Sequence, residues 1–142
     1  MDTAALREIF RGDRFAEHVG IEILEGGGGR ARATLVVGPH HLNGLGTVQG
    51  GVLFTLADLV FAVAVNSHGV KATGLNASIN WLRPVREGRL FAEALEISCA
   101  RRIATYSVRI TDEQENLVAT FHGTGYRLDE KWDRPQQAEG GT

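Results

Sequence analysis

Apolar and polar residues alternate with two different periods along this chain, and the changes of period set its architecture. Leu6, Ile9 and Phe10 fall on one face of a short helix predicted over residues 4–11. Residues 15–19 predict a second short helical turn leading into a strand. Residues 21–25 and 31–37 alternate with period two, and the glycine run 26–29 between them predicts a hairpin. A strand follows that run, rather than the helix and lysine a phosphate loop needs. Residues 39–47 read as an irregular loop. Residues 50–65 are then apolar at almost every position, which predicts a buried helix ending near 66–69 with Gly69 as its C-cap. Period two returns over 73–82, 89–100, 103–111 and 117–127. Pro84 and Gly88 punctuate the first of the intervening turns, and residues 112–116 form another.

The predicted order is two strands, a long helix and four strands. A helix apolar on nearly every face must be covered almost all round. A curved antiparallel sheet wrapped around the long buried helix does this, with a second copy closing the open side. The expected class is therefore α+β, as one domain over residues 1–128. Residues 129–142 are polar and expected to form a disordered tail, with Trp132 the one side chain suited to docking.

Composition narrows the function. The chain has 142 residues, 43% hydrophobic and 23% charged, which suits one soluble domain with a real core. A formal net charge of -2 argues against a general nucleic-acid binder. Cys99 is the only cysteine, so no intramolecular disulfide or cysteine zinc cluster can form. The acidic N-terminus lacks the layout of a signal peptide, and the expected location is cytoplasmic. The apolar run from Val52 to Val65 is too short to span a bilayer and carries Asp58.

Asp58 is the only charged residue in that run. A carboxylate among such residues is costly to bury unless paired or hydrogen-bonded. Gly50 and Gly51 place bare N–H groups at the helix N-terminus, a natural cradle for a developing oxyanion. Gly50 and Asp58 are eight residues apart, about 12 Å along one helix. Groups acting on one carbonyl must both lie within roughly 3 Å of the reacting atoms. Two antiparallel copies of the helix satisfy this, so a site using both residues is expected at a two-fold interface, twice per dimer. Asp58 then has two open roles, nucleophile on a thioester carbonyl or general base for water. Asn43 is placed to hold a water or orient the carboxylate, and Gln49 to bond substrate or loop. Each residue also has a structural reading: Asp58 as a buried bonding partner, the glycines as close-packing positions, Asn43 as a turn residue. His40 and His41 are expected to face opposite ways, and no carboxylate or cysteine at ligand spacing makes them a metal site.

Several segments together resemble a known family. Residues 41–51, His-Leu-Asn-Gly-Leu-Gly-Thr-Val-Gln-Gly-Gly, are followed by Leu56-Ala57-Asp58. This is similar to the signature of hotdog-fold acyl-CoA thioesterases of the phenylacetate-degradation (PaaI-like) type. Asn80-Trp81-Leu82-Arg83-Pro84 resembles that family's aromatic-Leu-Arg-Pro stretch, and residues 101–106 its strand entry. The resemblance implies a hotdog fold and hydrolysis of acyl-CoA without metal or organic cofactor. It implies Asp58 as catalytic carboxylate from one subunit, and the Gly50 N–H as oxyanion hole from the other, beside Asn43. It further implies a homodimer or a homotetramer built as a dimer of dimers. Gly51 would line the substrate site, and Arg83, Arg101 and Arg102 are candidates for the coenzyme A phosphates. Two positions depart from the family. The histidine before the glycine pair is Gln49 here, which cannot titrate near neutral pH. Asn76 stands where some relatives carry a serine that places the attacking water. A non-catalytic acyl-CoA-binding protein is the alternative that Gln49 raises; a dehydratase of the same fold would want the missing histidine.

Overall fold

The computed structural model describes residues 1–133; residues 134–142, most of the expected tail, lie outside the described residues. Helix α1 (Thr3–Phe10) and helix α2 (Arg14–Val19) are each capped by an aspartate, Asp2 and Asp13, whose carboxylate accepts an N–H of the first turn. Strands β1 (Ile21–Gly27) and β2 (Arg30–Val36) form the expected hairpin. Its two-residue turn is Gly28-Gly29, at φ 59° and 82°, values that side chains disfavour. The long helix α3 (Gly50–Asn66) comes next, then β3 (Val70–Trp81), β4 (Arg89–Cys99), β5 (Ile103–Thr111) and β6 (Leu117–Lys131). All strand pairs are antiparallel, in the order β1-β2-β4-β5-β6-β3. This is the predicted α+β hotdog architecture.

The sheet curls around α3 because its inner face gives way where the helix is bulky. Phe61 is buried and packs edge-on to Tyr106, ring centroids 5.7 Å apart. Gly123 and Gly125 lie beneath it on β6. A Cβ at Gly123 would come within 2.9 Å of the Phe61 ring, and one at Gly125 within 2.8 Å of Val65. Interiors of this density leave no room for even one added methyl.

The burial of α3 stops at one stripe. Gly51 and Asp58 are exposed, and Thr55 and Ala62 are only partly covered; their spacing of four, three and four puts them on one face. The sequence pattern implied a helix covered almost all round only once a second copy closes its open side. In a single chain the sheet leaves this face open, because it ends at β3. That terminal strand pairs only with β6, and most of its residues are exposed.

Two boundaries moved. Strand β6 continues three residues past 128, to Lys131, and Trp132 docks behind it. Its backbone N–H donates to the Gly69 carbonyl, which holds this part of the expected tail in place. His40 and His41 do not diverge. Their rings lie against each other, centroids 3.9 Å apart, because residues 39–41 form a 3-10 turn rather than a strand. No helix among the described residues is long and apolar enough to cross a membrane.

Candidate active site

The open stripe of α3 forms one wall of a cavity of about 710 Å³. Asp58 and Asn76 both line it, the one from α3 and the other from β3. So two of the sequence-predicted catalytic residues meet in one chain. The cavity walls withdraw enough water from the carboxyl of Asp58 to raise its pKa, and the negative charge of Asp13 adds to the push. Asp13 is a second carboxylate on the same cavity, which sequence reasoning missed. In the sequence it reads only as the N-cap of α2, which it also is.

Gly50 and Gly51 open α3, where no residue of the helix itself can accept from their N–H groups. Gly50 has little room beside it. The Trp81 indole donates to its carbonyl at 3.1 Å, and a Cβ there would come 3.0 Å from the ring. Packing against Trp81 thus explains glycine at this position. Gln49 is the N-cap, exposed, with no side-chain capping bond. Gly50 and Asp58 lie on one unbroken helix, so their separation in one chain stays near the 12 Å that eight residues span.

The loop before the helix is tightly closed. His41 is buried; it accepts the Gly38 N–H at Nδ1 and pairs through Nε2 with the Val19 carbonyl at 2.7 Å. Gln49 N–H donates to the His41 carbonyl, and Val48 N–H to that of Val85. Asn43 is spent inside the loop. Its Oδ1 accepts from the N–H groups of Leu45 and Thr47, and its amide donates to the Thr47 hydroxyl. Asn43 therefore helps build the platform for the helix N-terminus beside Gly50, and one of its two amide hydrogens is used in doing so.

Within one chain the three arginines do not converge. Arg83 follows Trp81 near the Gly50 end and lies close enough to Asp112 to act on its charge. Arg101 and Arg102 sit in the β4–β5 turn, at the other end of the nine-residue β5, some 30 Å away. Arg102 is engaged with Asp129 at 2.7 Å and with the Arg127 carbonyl. Only Arg83 is at the end of the molecule where Gly50 lies.

Among the described residues, one group brings metal-ligand types together: His68, Glu96 and Cys99, with ligand atoms within 4.8 Å of one another. It lies beyond the C-terminus of α3, away from Asp58. Glu96 already accepts from His68 at 2.6 Å and from the buried Tyr106 hydroxyl at 2.7 Å. Burial pushes the Glu96 pKa up, but these two bonds and the charges of His68 and Arg127 outweigh it and hold the carboxyl low. The group reads as a closed structural network.

Against known proteins, the sequence profile of the thioesterase superfamily matches residues 45–119, which contain Gly50, Asp58 and Asn76. This chain belongs to the thioesterase superfamily. Within it, this thioesterase is PaaI-like and of hotdog fold. It is 35% identical to the acyl-coenzyme A thioesterase PaaI of Escherichia coli over 84% of its own length and 86% of the relative's. The E. coli PaaI structure superposes with a TM-score of 0.86, covering 90% of this chain and 94% of that one at 32% identity. A putative esterase of Archaeoglobus fulgidus is 37% identical over 86% of this chain and 80% of its own. A thioesterase of Streptococcus pneumoniae solved with coenzyme A has a TM-score of 0.82 at 25% identity, covering 89% of this chain and 99% of that one.

Proposed function

We propose that this thioesterase hydrolyses acyl-CoA thioesters to free acid and coenzyme A at two equivalent sites of a homodimer. The observation that carries the reading is the open stripe of α3 with Asp58 on it, beside an unpaired β3 edge. A second copy laid antiparallel on that face covers the open stripe and continues the sheet. It also brings the N-terminus of its own helix to Asp58. The thioester oxygen then lies on the partner's Gly50 N–H, where the helix dipole favours developing negative charge. Asp58 attacks the carbonyl carbon directly, or takes a proton from a water that does. A raised pKa makes it a better proton acceptor than an ordinary aspartate once ionised. Asn76, across the cavity, is the side chain best placed to hold that water. The acyl group occupies the cavity, and Arg83 stands at the coenzyme A end. The absence of histidine at Gln49 removes a titrating group but no donor the oxyanion needs.

The test is thiol release from phenylacetyl-, hydroxyphenylacetyl- and hexanoyl-CoA by the wild type and Asp58→Asn. A mutant rate lower by roughly a hundredfold or more, about 2.7 kcal/mol of transition-state stabilisation, is expected. Turnover by Asp58→Asn at the wild-type rate refutes the assignment. A folded wild type that binds acyl-CoA without turnover supports the non-catalytic alternative.

A further inference from the structure

We propose that Trp132 is the end wall of the acyl cavity and sets the length of acyl group the enzyme accepts. The inference rests on the thioesterase reading and adds the substrate class to it.

The cavity runs along α3 from Asp58 past Phe61 and Ala62 to Val65 and Asn66. Ile9 and Phe10 of α1 cover it from the side, and Trp132 lines its far end. The polar carboxylates belong to the Asp58 region, since Asp13 acts on Asp58 through its charge. The end beyond Phe61 is lined by Val65, the indole, and Asn66 with Ala72, the Asn66 amide being taken up by its bonds to Ala62, Ala72 and the indole itself.

The indole is fixed there. Its Nε1 donates to Asn66 Oδ1 at 2.9 Å, and its backbone N–H donates to Gly69 at 2.9 Å. Lys71 Nζ stands 5.1 Å from the ring centroid. Asn66 is itself buried and held at both ends of its amide, donating to the Ala62 carbonyl and accepting from the Ala72 N–H. So a long-range contact, made by a residue beyond the last strand, anchors the ring to the same helix that carries Asp58. The ring remains only partly buried, which leaves a face for a ligand.

This anchoring turns the helix into a ruler. Asp58 and Asn66 are eight residues apart, about 12 Å along the axis. Van der Waals contact with the ring takes up about 4 Å of that. An extended chain advances about 1.2 Å per bond, so the remaining 8 Å holds about six or seven bonds. The cavity therefore suits linear acyl groups of about six to eight carbons, or a compact aryl-acetyl group of similar reach.

The experiment is kcat/KM for linear acyl-CoAs from butanoyl to tetradecanoyl with the wild type, Trp132→Ala and Trp132→Phe, alongside thermal melts. The wild type is expected to fall off beyond about eight carbons. In Trp132→Ala the fall-off moves to longer chains. Each methylene newly accommodated is worth roughly fourfold in kcat/KM, so the dodecanoyl-to-hexanoyl ratio rises at least tenfold. Trp132→Phe keeps most of the wall and is expected to shift the profile less; it carries the test if the alanine variant melts below the assay temperature. A change that scales all chain lengths by one factor makes Trp132 a structural anchor only and overturns the inference. Wild-type turnover of no acyl-CoA overturns the thioesterase reading, and this inference with it.

Discussion

A two-chain site is testable by complementation. Two variants are each designed to lose one half of the site. Asp58→Asn removes the carboxylate. Gly50→Pro removes the N–H and requires the Trp81 ring to shift by a few tenths of an ångström. The preceding Gln49 already has φ −61° and ψ 140°, the conformation a residue before proline prefers, and the first helical position tolerates proline well. A Cβ at Gly50 meets the Trp81 ring at 3.0 Å, but that ring is 57% exposed and has room to yield. Loss of one oxyanion donor is expected to cost about 10²–10³ in kcat, and Asp58→Asn a comparable amount. The variants are then unfolded, mixed in equal amounts and refolded, or co-expressed with two different tags. In a random mixture half the dimers are mixed, and each mixed dimer has one intact site of two, so about a quarter of wild-type activity returns. Tandem-tag purification of mixed dimers brings this to about half. The geometry behind the expectation is the unbroken helix, which keeps Gly50 and Asp58 about 12 Å apart in every chain. Mixed dimers no more active than their parents would place the complete site within one chain and refute the reasoning.

Four further expectations follow from particular contacts. Asp13→Asn keeps the N-cap of α2 but removes the charge beside Asp58, so the acid limb of the kcat/KM profile moves to lower pH with little change in melting temperature; an unmoved limb separates the two carboxylates. Partial loss of water at the cavity wall, with the Asp13 charge, raises the Asp58 pKa in the folded state, so its ionised form opposes folding and that cost grows as pH rises through the folded-state value. Asp58→Asn is therefore expected to melt higher than wild type at pH 7, with the gain fading in acid, by calorimetry at both pH values. Tyr106→Phe deletes the hydroxyl that donates to Glu96 inside the core and is expected to lower stability by about 1–3 kcal/mol in urea titrations, with kcat unchanged. Gln49→His is expected to introduce a limb near pH 6.5 that the wild-type profile lacks; an identical profile and rate remove any special role for this position.

Much of this was legible in the chain because the signals were local. The period-two segments, the Gly28-Gly29 turn and the apolar length of α3 each declare themselves within a dozen residues. Asp58 stood out because charge in an apolar helix is conspicuous. What stayed hidden depended on distance in sequence. Asp13 reaches the cavity only because α2 folds against α3. Trp132 joins it through Asn66, 66 positions earlier. Asn43 read more readily as a turn residue than as a ligand-holding amide, and the turn bonds it makes with the loop's own N–H groups depend on side-chain geometry that the sequence does not show. The three arginines looked alike in the sequence, yet a whole strand separates Arg83 from the other two. The extent of the open face on α3 was hidden for a related reason. Hydrophobicity marks a face as apolar without saying whether the same chain or another will hide it.

The unpaired β3 edge has a consequence in time. If each site needs two chains, a newly made copy folds silent, with its chemistry divided and the outer edge of a twelve-residue strand still unpaired. Activity then appears as a second-order process, lagging behind synthesis when the protein is scarce and catching up as it accumulates. Dilution runs the same clock backwards. Such an enzyme carries a built-in threshold on its own abundance, one that acts without an effector or a modification and is set only by how tightly one edge holds another.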